Sequence, residues 1–278
     1  MRSIMSVIGT IFGIYILLLG LMYLFQDSLL FMPSSSMLQS PESAGVEAED
    51  FWVETEDDVR VHGWYFPNEE AEFVIVLSHG NAGNISHRID IARTLLNSGA
   101  SVLMYDYRGY GQSEGRPSEK GLYKDIEAVT EGLMDKKGYP ENKIIMYGRS
   151  LGGAVAAYAA AEFNLGGLVL DSAFKNLRAM VRDVYPFVPS RLAKYEFPTE
   201  EFILAERSYP IMIMHSPNDE IVGFHHGEFL YDLIDEPKRF VELRGGHNDN
   251  FFVSEDLISE SWEWYLGEIS RTAAETQM

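Results

Sequence analysis

Short apolar runs and longer mixed segments alternate along most of the chain, between residues 51 and 243. Several short runs, such as Phe73–Ser78, are apolar at nearly every position, which is typical of parallel strands buried on both faces. The mixed segments Ser86–Asn97, Glu119–Lys136 and Ser150–Phe163 are predicted helices. This alternation predicts an α/β fold, with helices on both faces of a mainly parallel eight-stranded sheet. The predicted strands are Phe51–Thr55, Val59–Phe66, Phe73–Ser78, Ser101–Tyr105, Lys143–Tyr147, Gly167–Leu170, Ile211–His215 and Arg239–Leu243.

The amino terminus follows a different pattern, because no residue from Ser3 to Gln26 is charged. As a helix, the mostly apolar run Ile4–Phe25 would be about 33 Å long, enough to cross the hydrocarbon core of a bilayer. The run is longer than the apolar part of a signal peptide, and no small-x-small cleavage motif follows it. We therefore predict an uncleaved transmembrane anchor over residues 1–26.

Two irregular segments interrupt the predicted elements. Residues 27–50 contain Pro33, three consecutive serines and Pro41, which predicts a short connector whose first apolar part, residues 29–32, rests at the membrane interface. Residues 172–209 contain no convincing strand and form a predicted insertion within a domain that spans residues 51–270. The insertion is rich in aromatic residues, which would either wall an apolar binding site or pack the insertion onto the sheet.

The most specific chemical motif is G-x-S-x-G, from Gly148 to Gly152, with Ser150 at its centre. It lies between a predicted strand and a predicted helix. A strained turn in that position holds a serine hydroxyl exposed beside a base, and its glycines allow close approach of the backbone. The alternative is a glycine-rich turn in which Ser150 only caps the following helix. The strand–turn–helix context favours Ser150 as a nucleophile.

Two backbone N–H groups are candidates for stabilising an oxyanion. The first belongs to Leu151, the residue after the predicted nucleophile. The second belongs to Asn81, in the glycine-containing loop that follows the strand Phe73–Ser78. His79 precedes this loop, and its expected role there is structural hydrogen bonding.

An acid and a histidine follow later strands, in the order that a hydrolase with a Ser-Asp-His sequence uses. Asp219 lies on the loop after Ile211–His215 and is the preferred acid, with Glu220 second. Asp249 is too near His247 in sequence to reach it from a separate loop. His247 lies on a glycine loop after the last predicted strand, where the general base is required.

His225 and His226 raise the question of a metal site. Because they are adjacent on a predicted helix, we expect their side chains to point in different directions. No H-E-x-x-H pattern accompanies them. Surface or supporting roles are therefore predicted for both, with no metal and no organic cofactor in the chemistry.

Taken together, these motifs give the chain a clear family resemblance. It resembles the membrane-anchored α/β-hydrolases of the YfhR type, which are related to the catalytic domains of prolyl oligopeptidases. The similarity runs from about Tyr23 to about Tyr265 and implies an α/β-hydrolase fold. It also implies that residues 51–270 are the catalytic domain and that the insertion at residues 172–209 is a short lid over the active site, whose aromatic residues could wall an acyl site. The segments that carry the similarity are His79–Asn84, Asp106–Gly115, Gly148–Gly153, Asp171–Phe174 and Gly246–Asn248.

Charge and composition restrict the possible partners. The net charge is −20, so the protein would be repelled by nucleic acid and by anionic lipid headgroups. The absence of cysteine excludes disulfides and thiolate ligands. Arg2 precedes the apolar run, Asp27 follows it, and the next basic residue is Arg60. The positive-inside rule therefore predicts a single-pass protein with its catalytic domain on the non-cytoplasmic (periplasmic) side.

These observations predict a serine hydrolase that cleaves carboxylic ester or thioester bonds through an acyl-enzyme intermediate. Its expected substrate is a small molecule or a lipid-like acyl compound. A small-peptide serine peptidase is the alternative that the oligopeptidase relationship suggests. A non-catalytic scaffold of the same fold is a third possibility, disfavoured because all three residue types of the triad are present. The oligomeric state is not predicted.

Overall fold

The computed structural model describes residues 2–205 and 209–276, and the side chains of residues 4–205 and 209–272. One-turn 3₁₀ helices occupy residues 85–87, 141–143 and 190–192. The α-helices are α1 (Arg2–Leu24), α2 (Gln26–Leu30), α3 (Ile89–Leu96), α4 (Glu119–Lys137), α5 (Leu151–Glu162), α6 (Leu177–Val184), α7 (Thr199–Phe202), α8 (His225–Leu233), α9 (Asn250–Val253) and α10 (Glu255–Thr276). The strands are β1 (Met32–Pro33), β2 (Glu49–Glu54), β3 (Arg60–Phe66), β4 (Val74–Ser78), β5 (Ala82–Gly83), β6 (Ser101–Tyr105), β7 (Ile144–Arg149), β8 (Gly167–Asp171), β9 (Ile211–His215) and β10 (Lys238–Glu242).

The central sheet has eight strands in the order β10-β9-β8-β7-β4-β6-β3-β2. Strand β3 runs antiparallel to both of its neighbours, and every other neighbouring pair is parallel. Strands β4, β6, β7, β8 and β9 are buried at every position, as expected for apolar strands covered on both faces. The predicted mainly parallel eight-stranded sheet is confirmed.

Helices cover both faces of the sheet, as predicted. One face packs against α4, α5, α8 and part of the lid, and the other against α3 and α10. The predicted helix over residues 86–97 is shorter in the structure, because a 3₁₀ turn at residues 85–87 precedes α3. The Asn84 side chain accepts a hydrogen bond from the N–H of Ser86 and caps this turn.

Helix α1 is long and apolar enough to cross a membrane. Residues Ile4–Leu24 have a mean hydropathy of 2.4, and none of the apolar window is buried inside the protein. This exposure excludes a core helix of a soluble fold and is consistent with membrane anchoring.

The connector is ordered and contacts the catalytic domain. Strand β1 pairs in parallel with β5 in a small two-stranded sheet outside the central one. Phe31 is buried against Tyr195 and Phe197 of the lid, so the expectation that residues 29–32 rest together at the membrane interface is wrong for this side chain. Its ring is more favourably buried among lid aromatics than left at an interface. Leu29 and Met32, on either side, remain exposed.

The aromatic residues of the lid occupy different positions. Phe197 and Phe202 pack against Tyr123 of α4 and hold the lid on the sheet. Phe174 lines the cleft described below. The rings of Tyr185 and Phe187, at the far end of the lid, remain exposed.

Candidate active site

Ser150 lies at the sharp turn between β7 and α5, in a backbone conformation that side chains rarely adopt. Its φ is 53° and its ψ is −117°, which is strained for a residue with a Cβ. The turn needs its glycines for close approach. A Cβ on Gly148 would lie 2.3 Å from the carbonyl oxygen of Gly152, and one on Gly152 would lie 2.0 Å from that of Ser78. This geometry lifts the hydroxyl of Ser150 out of the sheet edge into a cleft.

Asp219 and His247 form a hydrogen-bonded pair at the same edge of the sheet. Asp219 Oδ2 lies 2.7 Å from His247 Nδ1, and Asp219 Oδ1 accepts the backbone N–H groups of Ile221 and Val222. Burial alone would raise the pKa of Asp219, but the bonds from His247 and from the two N–H groups outweigh it and lower the pKa below its ordinary value. Asp219 is therefore a carboxylate that holds the Nδ1–H tautomer of His247.

The loop that carries His247 is fixed through its backbone. Arg149 donates to the carbonyl oxygen of His247 and forms a buried ion pair with Asp171. Glu220 Oε2 accepts the backbone N–H of His247 at 3.0 Å. Glu220, the second candidate for the acid, thus contacts the backbone of the histidine and not its ring. Asp249 likewise accepts the backbone N–H of Gly246 at 2.7 Å.

The two predicted oxyanion donors lie beside Ser150. In the part of the chain that the structure describes, neither the N–H of Asn81 nor that of Leu151 donates a hydrogen bond. Two hydrogen bonds fix the loop of Asn81 through its carbonyl oxygen. This oxygen accepts from the Tyr110 hydroxyl at 2.8 Å and from the N–H of Met32 at 3.0 Å. Two unpaired N–H groups at one cleft are the feature that an oxyanion hole requires.

These groups line a single open cleft, whose empty volume is about 990 Å³ when the space at its mouth is included. Ser150, Leu151, Asn81 and His247 all border it, and no hydrogen bond joins Ser150 to His247 in this structure. Such bonds often tighten only when substrate binds. The remaining wall is apolar apart from Arg88, Arg149 and Asn248, and no acidic side chain of the described residues lines it. The apolar lining residues are Leu30, Met32, Phe174, Leu177, Met180, Ile221 and Val222.

Six other histidines do not line the cleft, although His215 Nε2 lies 3.6 Å from Asp219 Oδ2. His79 is buried, with Nδ1 2.7 Å from the carbonyl of Gly80, which is the structural role predicted for it. Burial lowers the pKa of both His79 and His215. His225 and His226 form the cluster discussed next.

The sequence-based expectation that the side chains of His225 and His226 point in different directions is wrong. Their Nε2 atoms both approach Asp183 Oδ2 of helix α6, at 3.1 and 2.9 Å. The rings converge because Asp183 comes from the lid and lies between them. The backbone N–H of Lys175 donates to Nδ1 of His226, so Nε2 of the neutral ring carries a proton and donates it to Asp183. We call the contact of Asp183 with these two histidines the lid latch.

The lid latch predicts a pH-dependent stability. Burial, together with neighbouring His225, lowers the pKa of His226 from 6.5 to about 4. Between those values the unfolded chain binds a proton at His226 that the folded chain does not, so stability falls as the pH falls from 6.5 towards 4. We expect the drop in unfolding temperature between pH 7 and pH 5 to be about 2–4 °C smaller in His226→Gln than in the unmodified protein. Thermal unfolding monitored by circular dichroism measures this difference, and equal drops in both proteins would contradict it.

Comparison with known proteins places the chain in a family. A family model described as serine aminopeptidase, S33, matches residues 69–199. The uncharacterized protein Rv2307c of Mycobacterium tuberculosis is 37% identical over 247 residues, which cover 87% of this chain and 88% of that protein. The uncharacterized membrane protein YNL320W of Saccharomyces cerevisiae is 33% identical over 76% of this chain and 78% of its own. YfhR of Escherichia coli K12 is 27% identical over 77% and 78%.

A solved structure shares the fold. The Pyrococcus furiosus esterase Pf2001 superimposes with a TM-score of 0.68 at 20% identity, over 87% of this chain and 97% of that one. The strand order and the strand–turn–helix at Ser150 define an α/β-hydrolase fold. The chain belongs to the α/β-hydrolase family that includes YfhR, as its sequence motifs predicted.

Proposed function

We propose that this protein is a serine hydrolase that cleaves carboxylic ester or thioester bonds with a triad of Ser150, His247 and Asp219. The observation that carries the proposal is the meeting, in one cleft, of a strained serine, an Asp-paired histidine and two unpaired N–H groups. The esterase name of the Pyrococcus furiosus structure supports the same class of activity.

The geometry supports a two-step mechanism. His247, held by Asp219 in the Nδ1–H tautomer, takes the proton of Ser150 at Nε2 while the serine oxygen attacks the carbonyl carbon. The N–H groups of Leu151 and Asn81 stabilise the negative oxygen of the tetrahedral intermediate. His247 then gives its proton to the leaving alcohol or thiol, which departs and leaves an acyl-enzyme. Water repeats the sequence, releases the acid and restores Ser150.

The lining of the cleft favours an acyl substrate over a peptide with a free amino terminus. An aminopeptidase must compensate the charge of its substrate's ammonium group, and a buried charge without a partner is strongly disfavoured. No Asp or Glu lines the cleft among the described residues, whereas Arg88 and Arg149 do. The small-peptide peptidase therefore remains the second candidate, supported by the description of the matching family model.

Matched methyl esters separate the two candidates. We expect methyl butyrate to be hydrolysed with a kcat/KM at least about tenfold higher than methyl 2-aminobutyrate, because the two differ only in an ammonium group that the cleft cannot pair. Acid release followed by pH-stat titration measures both rates. Preference for the aminoacyl ester would favour the peptidase instead. A folded protein that hydrolyses neither ester and is not labelled by a fluorophosphonate would favour the non-catalytic scaffold.

We also propose the domain organisation and location predicted from the sequence. Residues 1–26 form the anchor, residues 27–50 the connector and residues 51–270 the catalytic domain, with the lid at 172–209. The catalytic domain lies on the non-cytoplasmic side, because Arg2 precedes the apolar helix and Asp27 follows it. Protease added to intact spheroplasts would digest the catalytic domain if this orientation is correct and would spare it if the orientation is reversed.

A further inference from the structure

The far end of the lid is an uncharged apolar loop. Residues 184–189 read Val-Tyr-Pro-Phe-Val-Pro, and we call this segment the lid tip. Val184 and Phe187 are 47% and 52% exposed, in spite of their apolar side chains. Charged residues stand on both sides of the segment, with Asp183 before it and Arg191 shortly after. A contiguous exposed apolar surface with a charged rim is typical of a binding surface for a membrane or a partner.

The lid tip lies beside the membrane-spanning helix. The hydroxyl of Tyr15 donates to the carbonyl oxygen of Phe187 at 2.8 Å. Tyr15 is nine residues before Leu24, the last residue of α1, which places the contact about 14 Å back along the helix. A helix that spans the bilayer with Ile4–Leu24 therefore brings the lid tip into the hydrocarbon region.

Much of the backbone of the lid tip is paired internally, although the N–H of Phe187 donates no hydrogen bond among the described residues. Pro186 and Pro189 have no N–H to satisfy. The N–H groups of Tyr185 and Val188 donate to the carbonyls of Val181 and Tyr185, and the carbonyl of Phe187 accepts from α1. Irregular backbone at membrane depth requires this kind of internal pairing.

A second set of hydrogen bonds joins the lid to the segment where the anchor ends. The Gln26 side chain donates to the carbonyl of Leu192 at 2.8 Å and accepts the N–H of Lys194 at 2.8 Å. The Tyr195 hydroxyl donates to Asp27 at 2.8 Å. These polar contacts lie where α1 ends, at the level expected for the membrane surface. The apolar contacts of the lid thus face the bilayer, and the polar ones face the headgroups.

Between anchor and lid lies an apolar cavity that is open on one side, with an empty volume of about 640 Å³ when the space at its open side is included. Its walls come from α1, α2 and the lid, and within the described part of the chain no charged side chain lines it. Leu30 and Leu177 line both this cavity and the catalytic cleft. The two spaces are therefore neighbours that share a wall of two leucine side chains, which can change rotamer without breaking a hydrogen bond.

From these contacts we infer that the lid tip lies in the bilayer, and that the acyl chain of a membrane lipid reaches Ser150 from there between the anchor and the lid. This inference rests on the proposed hydrolase function and names its substrate as a bilayer-resident long-chain ester or thioester. The cavity holds the chain while the reactive carbonyl lies in the cleft at Ser150. The product acid leaves towards the membrane by the same path.

The position of the lid tip is tested with a fluorescent probe. The chain has no cysteine, so Phe187→Cys in the full-length protein gives a single site for a nitrobenzoxadiazole label. In phosphatidylcholine vesicles we expect doxyl-labelled lipids to quench the label at position 187 about as strongly as one introduced by Leu17→Cys in α1. A label introduced by Ser259→Cys, exposed on α10, is the control that should not be quenched. Quenching at position 187 no stronger than at position 259 would overturn the inference.

The path of the acyl chain is tested with a tryptophan variant of α6 and a control variant of α10. Val181 lines the cavity but not the catalytic cleft, whereas Ser259 lines neither and is exposed. With 4-methylumbelliferyl oleate in phosphatidylcholine vesicles, we expect Val181→Trp to lower kcat/KM at least about tenfold, and Ser259→Trp to leave it unchanged. Neither variant should change hydrolysis of the soluble 4-methylumbelliferyl acetate.

The outcomes separate this inference from the function on which it rests. Undiminished oleate hydrolysis by Val181→Trp would overturn the proposed path, as would an equal loss with oleate and acetate. An unmodified protein that hydrolyses neither ester would instead refute the proposed function. The quenching measurement needs no activity, so it decides the position of the lid tip in either case.

Discussion

Ser150→Ala is expected to lower kcat/KM for p-nitrophenyl butyrate by about 10⁴–10⁶ and to abolish labelling by a fluorophosphonate. The oxyanion donors and the cleft remain in the variant, but no covalent intermediate can form. We expect a small residual rate, because the variant still binds the substrate although it cannot form the covalent intermediate. The measurement is steady-state hydrolysis by detergent-solubilised full-length protein, with labelling followed on a gel.

Thermal unfolding of Ser150 variants distinguishes a loss of the catalytic hydroxyl from a loss of folding. Ser150 has a φ of 53°, a conformation that costs about 1–3 kcal/mol for a residue with a Cβ. Glycine relieves this strain, and its own entropic cost is only about 0.5–1 kcal/mol. Ser150→Gly should therefore be as inactive as Ser150→Ala and should unfold at a higher temperature. Substantial labelling of either variant would place the nucleophile elsewhere.

Asp219→Asn is expected to lower kcat/KM by about 10⁴. Asp219 now accepts the Nδ1 proton of His247 over 2.7 Å. An amide nitrogen in the same position would donate to Nδ1 and move the proton to Nε2, so that the ring could not take the proton of Ser150. The measurement is p-nitrophenyl butyrate hydrolysis between pH 6 and 9, with thermal unfolding as a check of folding.

Glu220→Gln is the matched control for this prediction. Glu220 is the next residue in the chain and contacts the same histidine, but it accepts the backbone N–H. Glutamine can keep that bond through its carbonyl oxygen. We expect a change of less than about tenfold, since a neutral acceptor replaces a charged one. If Glu220→Gln lost more activity than Asp219→Asn, Glu220 would be the orienting acid and our assignment would be wrong.

The sequence predicted best those features that depend on neighbours in the chain. Strand β4 is a run of buried apolar residues, and such a run has few structural alternatives between two turns. The turn at Ser150 is equally local, because Gly148 and Gly152 are required by contacts within and directly beneath it. The same holds for the amino-terminal helix, whose length and composition appear in one uninterrupted run.

Contacts between segments that are distant in sequence could not be predicted from the local pattern. Arg149 reaches the backbone of His247, 98 residues away, and nothing in the local pattern distinguishes it from an exposed arginine. Asp183 lies 43 residues before His226, so the convergence of the two histidines depended on where the lid folds. Arg88 borders the cleft only because the turn before α3 brings it there. Side-chain partners of this kind depend on tertiary packing, which periodicity does not encode.

The pairing of β1 with β5 determines how this protein can be shortened for study. The N–H of Met32 and that of Ser34 bond to the carbonyls of Asn81 and Gly83, and the Asn81 side chain donates to the carbonyl of Leu30. A soluble fragment that began at residue 51, where the catalytic domain was expected to start, would keep the triad but lose these supports of the oxyanion loop. Poor activity of such a fragment would reflect the missing segment and not the enzyme. A fragment meant for crystallography or screening must begin before Leu30.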